Sequence, residues 1–342
     1  MKTLKTLRVT WFGLVCVLFW LVTVTPGTAH AQWTSLSNPL PPGLLSTCLL
    51  LTDGSAMCHQ YNTNQWRRLI PDNLGSYANG TWSATAPMPN GTDTTVGCTP
   101  SCIYRPLYYA SAVLPDGRLV VVGGEYNNLV ATWTNIGFLY NPVTNTWSTQ
   151  LVVPFGTGSV GDIQTVVLDN GTMLIANISN TNIAGFDSTT LTFTDLNPIN
   201  KQDRNNEENW NILPDGRVLT VDTRIASAFE IYDPVSNTWT PGTTPVNLVD
   251  CCGAANGVGN SLEAGPGVLR PDGTLVYFSG NRTGQNAVYN TVTGLWTHSA
   301  TMDFPVASGA NHFAVADGPA SLLPNGNVLV MASPVTNTSP FN

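Results

Sequence analysis

Acidic side chains recur along this chain at nearly the same distance before a repeated Asp-Gly or Asn-Gly pair. They are Asp162, the adjacent pair Glu207 and Glu208, Glu263 and Asp317. If folding brings these carboxylates together, their mutual repulsion raises some of their pKa values or recruits a cation such as calcium. Carboxylates also accept hydrogen bonds from sugar hydroxyls. The spacing therefore indicates a binding or acid–base site, against the alternative that the acids pair structurally with arginines (Arg105, Arg204, Arg224 or Arg270).

Aromatic and amide side chains accompany the acids at the same repeat position, where they suit stacking on a sugar ring. Successive side chains of a strand alternate faces, so only one of Glu207 and Glu208 can belong to a common site. We assign Glu208 to it. The predicted ligand-binding residues are Tyr108, Tyr109, Asp162, Gln164, Glu208, Trp210, Glu263 and Asp317.

The element that must position these residues is a small antiparallel sheet, as the stretch from Tyr108 to Trp147 indicates. Two apolar β-branched runs flank Asp116 and Gly117, which is a hairpin signal because glycine adopts positive φ without a steric penalty. Tyr140 and Trp147 then mark the third and fourth strands.

Both markers recur. The hairpin pairs are Asp53-Gly54, Asp116-Gly117, Asn170-Gly171, Asp215-Gly216, Asp272-Gly273 and Asn325-Gly326, and the aromatic pairs are Tyr140 with Trp147, Phe186 with Phe193, Tyr232 with Trp239, and Tyr289 with Trp296. Successive hairpin glycines are about 45 to 63 residues apart. That is close to the roughly 40 to 50 residues of a four-stranded propeller blade with additional loops. The repeats predict a ring of four-stranded blades, with the acids where the inner strands begin.

The cassette resembles the kelch repeat, and the chain after its leader resembles secreted bacterial kelch proteins of the galactose oxidase central-domain type. The paired glycines of a kelch second strand occur only at Gly123 and Gly124; other copies have Ala176 and Asn177 or Ser279 and Gly280. The resemblance implies an all-β, kelch-type β-propeller. The sequence predicts about six blades, with seven as the alternative.

The resemblance also raises copper radical oxidation, which requires two histidine and two tyrosine ligands. The histidines after the leader are His59, His298 and His312. By the repeat alignment, only His312 lies near an inner-strand entrance. Copper is therefore not expected, no cofactor is predicted, and calcium is the alternative occupant of the acidic ring. A glycosidase that uses the channel carboxylates stays open, because sequence does not give their separations.

Residues 1–31 are predicted to be a signal peptide. Lys2, Lys5 and Arg8 precede an apolar run, and Ala29-His30-Ala31 fits a cleavage site. An uncleaved membrane anchor is the alternative reading of the long apolar run. Removing the three leader cations from 13 basic residues leaves 10 against 21 acidic residues, a net charge of about −11. This charge argues against nucleic acid and anionic membranes as partners.

Six cysteines follow the leader, namely Cys48, Cys58, Cys98, Cys102, Cys251 and Cys252. In an exported chain they predict up to three disulfides whose connectivity is open. Cys48 and Cys58 lie nearly symmetrically about the first turn and can face each other across a hairpin. Cys98 and Cys102 lie in a long connection between two blades and lack the second ligand pair of a zinc site.

The two ends of residues 32–342 suggest how the ring closes. Trp33 resembles a fourth strand without its first three, whereas residues 311–342 resemble two strands of an incomplete blade. We expect Trp33 to complete the last blade, which leaves no exposed edge. The prediction is a secreted, monomeric propeller that binds a glycan or an extracellular protein at its channel mouth. The alternative is a carbohydrate-active enzyme, a glycosidase before a copper oxidase.

Overall fold

The computed structural model describes residues 33–91, 103–156, 159–252, 261–302 and 312–334. These residues form strands, turns and loops without an α-helix, as predicted. Within the described ranges, no helix is long and apolar enough to cross a membrane. The predicted signal peptide and the pair Cys98 and Cys102 lie outside the described residues.

The first blade is a four-stranded antiparallel sheet whose strands follow one another in chain order. It contains β1 (Leu45–Leu50), β2 (Ala56–Gln60), β3 (Trp66–Ile70) and β4 (Thr81–Ala84). Cys48 and Cys58 are directly opposite in β1 and β2 and form a disulfide, which confirms that predicted pairing.

The second blade has β6 (Ala110–Val113) on the inside, then β7 (Leu119–Val122) and β10 (Ile136–Asn141), which pairs with both β11 (Thr146–Trp147) and β12 (Leu151–Val152). A separate three-stranded sheet of β5 (Pro106–Leu107), β8 (Tyr126–Asn127) and β9 (Val130–Ala131) forms beside its inner end.

The third, fourth and fifth blades are regular four-stranded sheets in chain order. They comprise β13 (Thr165–Val167), β14 (Met173–Ala176), β15 (Ile183–Asp187) and β16 (Thr192–Asp195); β17 (Asn211–Ile212), β18 (Val218–Val221), β19 (Ala228–Asp233) and β20 (Thr238–Thr243); and β21 (Gly267–Leu269), β22 (Thr274–Tyr277), β23 (Ala287–Asn290) and β24 (Leu295–His298).

The last described blade is partial. The hairpin of β26 (Ala320–Leu322) and β27 (Val328–Val330) lies beside a short pair of β25 (Phe313–Ala314) and β28 (Ser333–Pro334). Trp33 does not join it: its side chain is 88% exposed and lies in no strand. The following residues run along the first blade instead, because Ser37 N–H donates to Ala78 O and the Asn38 side chain donates to Gly80 O.

The predicted hairpins form at the end of each inner strand for a local reason. In the second blade, Gly117 has a φ of 84° and its N–H donates to Leu114 O, while Asp116 Oδ1 accepts from Arg118 N–H. A side chain with a β-carbon strongly disfavours this φ, so glycine fixes the turn. The same glycine N–H bond recurs in all six copies.

The predicted aromatic pairs face each other across the third and fourth strands of four blades. Tyr140 is in register with Trp147, and their ring centroids are 5.0 Å apart. The equivalent centroid distances lie between 4.7 and 5.2 Å in the next three blades. Buried aliphatic side chains fill the spaces between successive sheets, so the blades pack face to face and their inner strands lie side by side. This packing brings the starts of the inner strands together on one face of the ring, which we call the mouth.

Candidate functional site

A cavity of about 820 Å³ opens at this mouth. Its lining comes from the first to the sixth blade, with the residues just before the inner strands contributing most of its polar groups. It includes seven of the eight predicted residues, namely Tyr108, Asp162, Gln164, Glu208, Trp210, Glu263 and Asp317. The volume lies within the roughly 300–1,000 Å³ of small-ligand sites.

Five carboxylates give the cavity its chemical character: Glu125, Asp162, Glu207, Glu263 and Asp317. Burial and repulsion by its neighbours raise the pKa of Asp162 to about 7, of Glu207 to about 8 and of Glu263 to about 7. Burial likewise raises the pKa values of Glu125 and Asp317. The ionisations of these carboxyls are therefore linked to one another instead of independent.

The side chains of Glu263 and Asp317 interact directly, and each influences the pKa of the other. A proton held by one of the two relieves their repulsion, because two ionised carboxylates repel each other and offer only hydrogen-bond acceptors. Glu263 Oε2 is buried and makes no hydrogen bond to a donor. The pair is thus a proton-sharing dyad on the wall formed by the fifth and sixth blades.

Glu208 borders the cavity, but its side chain is fully buried and bound to Lys201. The Lys201 Nζ lies 2.7 Å from Glu208 Oε1 and 2.7 Å from Glu230 Oε2, and 4.5 Å from the ring centroid of Trp239. Burial lowers the pKa of Lys201, but attraction by the two glutamates outweighs burial and raises it. Glu208 is therefore part of a buried ion network behind the cavity wall.

That network holds two predicted ligand-binding side chains in place. Glu208 Oε2 accepts hydrogen bonds from Gln164 Nε2 at 3.1 Å and from Trp210 Nε1 at 3.2 Å. Gln164 is only 8% exposed, and its Oε1 makes no hydrogen bond within the described residues. Since the amide nitrogen is committed to Glu208, the cavity wall has an unsatisfied buried acceptor.

The side chains of the two predicted tyrosines, Tyr108 and Tyr109, point in different directions. Tyr108 is 56% exposed at the cavity rim and makes an edge contact with Tyr126 at 5.9 Å between ring centroids. Tyr109 points the other way and packs on His59 and Trp66, with ring centroids 5.4 and 6.1 Å away. The two tyrosines lie between β5 and β6, where the left-handed backbone of Tyr108, with a φ of 50°, turns its side chain away from that of Tyr109.

Among the tyrosines and acidic residues that line the cavity, sequence reasoning missed four, namely Tyr61, Glu125, Tyr126 and Glu207. A stricter count would have found Glu207. It lies nine residues before its hairpin glycine, as do Tyr108, Asp162 and Asp317. Three of these four residues, Tyr108, Glu207 and Asp317, have φ values of 50°, 58° and 51°. Non-glycine residues rarely adopt this left-handed conformation, and such strain concentrates at functional positions.

Metal ligands gather at one place in the described part of the chain. Glu208, Asp222 and Glu230 could offer carboxylate oxygens within 4.8 Å of one another. The Lys201 ammonium already bonds two of them, so it supplies the positive charge there. Burial raises the pKa of Asp222 to about 9, which keeps that third carboxyl protonated.

The histidines do not fit the copper that the galactose oxidase resemblance implies. His59 is buried, with Nε2 2.7 Å from Thr63 O, and His298 ends an outer strand. His312 precedes β25, and none of the three lines the cavity. The described residues therefore do not assemble two histidines with the mouth tyrosines.

Comparison with known proteins agrees with the architecture. Residues 106–150 match the Kelch motif, and no curated protein matches the chain significantly. The fold is similar to that of virginiamycin B lyase from Staphylococcus aureus (11% identity, TM-score 0.51, covering 85% of this chain and 84% of that one). It is also similar to a streptogramin B lyase (10%, TM-score 0.53, 86% and 78%).

A third similar structure is a fungal alcohol oxidase of the AA5 family in complex with copper (15% identity, TM-score 0.55). The match covers 86% of this chain but 59% of the oxidase. At identities this low, structural similarity indicates a shared fold. The chemistry of each protein depends on the residues of its own site. The repeated sheets, the Kelch motif and these structural neighbours together show that the chain folds as a kelch-type β-propeller.

Proposed function

We propose that this protein is an exported binding module that takes a glycan or an exposed protein segment at its channel mouth. The observation that carries the proposal is the cavity itself, where exposed tyrosine rings and unpaired carboxylates from successive blades converge. Carboxylates and an amide oxygen accept hydrogen bonds from a ligand, while tyrosine rings stack on its apolar faces. The basic, apolar leader supports export.

A glycosidase is the second candidate, because carboxyls whose pKa values lie near 7 suit general acid catalysis. The dyad of Glu263 and Asp317 argues against it. Two-carboxylate glycosidases hold the carboxyl groups about 5 Å or more apart, which does not suit two side chains that interact as directly as Glu263 and Asp317. We therefore place binding before catalysis.

The test is a glycan array probed with the purified full chain, expressed with its leader in an exporting host. We expect Tyr108→Ala and Asp162→Asn to lose the binding of the unaltered protein, since both side chains line the cavity. Asp169→Asn is the control, an exposed carboxylate beside a hairpin turn at the other end of the inner strands. Equal binding by all three variants would contradict the proposal, and release of shorter sugars would favour the glycosidase.

A further inference from the structure

In the part of the chain that the structure describes, the five mouth carboxylates lack salt-bridge partners, and Arg224 interacts with Glu207 only through its electrostatic field. The remaining segments after residue 32 cannot supply one either. Residues 92–102, 157–158, 253–260, 303–311 and 335–342 contain no lysine, arginine or histidine.

Most basic side chains of the described residues form salt bridges away from the mouth. Four arginines pair with aspartates of the hairpin turns, at the far end of the inner strands: Arg68 with Asp53, Arg118 with Asp116, Arg217 with Asp215, and Arg270 with Asp272. Lys201 is buried in its own network. Arg204 and Arg224 donate their backbone N–H groups to Asp203, the Arg224 guanidinium donates to Thr223 Oγ1, and neither residue lines the cavity. Charge is thus compensated at the hairpin face and left uncompensated at the mouth.

The cavity also offers hydrogen-bond acceptors without matching donors. Gln164 Oε1 is more than nine-tenths buried on the cavity wall and lacks a partner, as does Glu263 Oε2. An unsatisfied buried acceptor is unfavourable until a ligand donor reaches it. The arrangement therefore selects a ligand that is rich in N–H and O–H groups.

Tyrosine rings border the acids. Tyr61 and Tyr108 are 39% and 56% exposed, and Tyr126 contacts Tyr108 edge to face. The negative face of an aromatic ring attracts cations and stacks on sugar rings. A single metal ion would use neither the rings nor most of an 820 Å³ cavity, and a lysine side chain carries donors only at its tip. A sugar ring with an ammonium group distributes donors around an apolar face.

We infer that the mouth binds a glycan built from amino sugars whose amino groups are free and protonated. The inference rests on the proposed function and specifies its ligand. The ammonium groups lie among Glu125, Asp162, Glu207 and the dyad, a ring hydroxyl donates to Gln164 Oε1, and Tyr108 stacks on the sugar.

Calorimetric titration with four soluble probes tests this: glucosamine tetramer, N-acetylglucosamine tetramer, cellotetraose and a tetralysine peptide. We expect the glucosamine tetramer to bind at least tenfold more tightly than each of the others, and equally well with and without a calcium chelator. Raising the salt from 50 to 300 mM should weaken it severalfold, because partly exposed charges are screened. Glu207→Gln should weaken it about tenfold, and the control Asp169→Asn should leave it unchanged.

The outcomes separate the inference from the proposed function. Equal binding of the acetylated and free tetramers would overturn the amino-sugar inference and leave glycan binding in place. Tighter binding of tetralysine would overturn it in favour of a basic protein segment. A requirement for calcium would overturn it in favour of a metal-mediated site. A protein that binds no glycan on the array and none of these probes would overturn the proposed function as well.

Discussion

Removing one mouth carboxylate should stabilise the protein at alkaline pH, and Glu207→Gln shows this most clearly. Burial and the charges of Asp162, Asp317, Glu263 and Glu125 raise the pKa of Glu207 from 4.5 to about 8. Between these two values the folded state binds more protons than the unfolded state, so the free energy of unfolding falls as the pH rises. Glutamine keeps the size of the side chain without its charge.

The magnitude follows from the size of the pKa shift. At about 1.36 kcal/mol per pKa unit, the ionised Glu207 destabilises the fold by at most about 4 kcal/mol at pH 8. The side chain borders an open, hydrated cavity, and Arg224 is nearby, so screening reduces the effect. We expect Glu207→Gln to raise the free energy of unfolding by about 1–2 kcal/mol at pH 8 and by less than about 0.5 kcal/mol at pH 5.

Urea unfolding between pH 5 and 8.5, with disulfides intact, measures both values. Asp169→Asn serves again as the control, because this exposed carboxylate stands outside the cavity. A Glu207→Gln variant that is less stable than the unaltered protein at pH 8 would refute the reasoning, since it would mean that the carboxylate gains more from a cation than it loses to its acidic neighbours.

Three further changes test the scaffold by urea unfolding. Lys201→Met should lower the free energy of unfolding by about 3–5 kcal/mol, because it leaves two buried glutamates without their cation. A decrease below about 1 kcal/mol would mean that the network contributes little to stability. Replacing Cys48 and Cys58 together by alanine should cost about 2–3 kcal/mol, since their bond closes a short loop; an unchanged midpoint would contradict this. Gly123→Ala should lower the free energy of unfolding by about 2–4 kcal/mol, because its φ is 78° and the new methyl group lies 2.4 Å from a valine carbon. Gly75→Ala is the matched control, since its φ is 79° but its surroundings are open, and it should lower the free energy of unfolding by only about 1 kcal/mol.

The blades were predictable because their signals are local. Each hairpin depends on a glycine and on an aspartate or asparagine that bonds the backbone two residues later, as Asp116 does with Arg118. Each pair such as Tyr140 and Trp147 needs only one turn to bring two strands into register. Cys48 and Cys58 follow the same rule across one hairpin. Such contacts require little knowledge of the rest of the chain.

The candidate site was predictable only in part, because two of its determinants are not local. Alternation along a strand limits Glu207 and Glu208 to one site residue but does not choose between them. The choice depends on the left-handed conformation of Glu207 ahead of the strand and on the distant Lys201 and Glu230, which draw Glu208 away from the cavity.

The loops after the second strands were also overlooked, although the topology accounts for them. A second strand runs back from the hairpin turn to the mouth, so residues that follow it return to the ligand face. Tyr61 follows β2, and Glu125 follows β7, where its N–H donates to Leu107 O at 3.0 Å. Trp33 was misplaced for a different reason: one aromatic residue without a neighbouring strand gives no register.

The unequal placement of charge has a kinetic consequence. Paired arginines and aspartates at the hairpin face produce little field beyond their own contacts, whereas the unpaired acids of the mouth project a negative potential into solvent. At physiological ionic strength this potential extends for roughly 8 Å. A diffusing cationic molecule is therefore drawn to one side of the ring before it touches the protein. Its association rate should fall steeply with added salt, while the fold, whose ion pairs are mostly short-range, should tolerate the same salt.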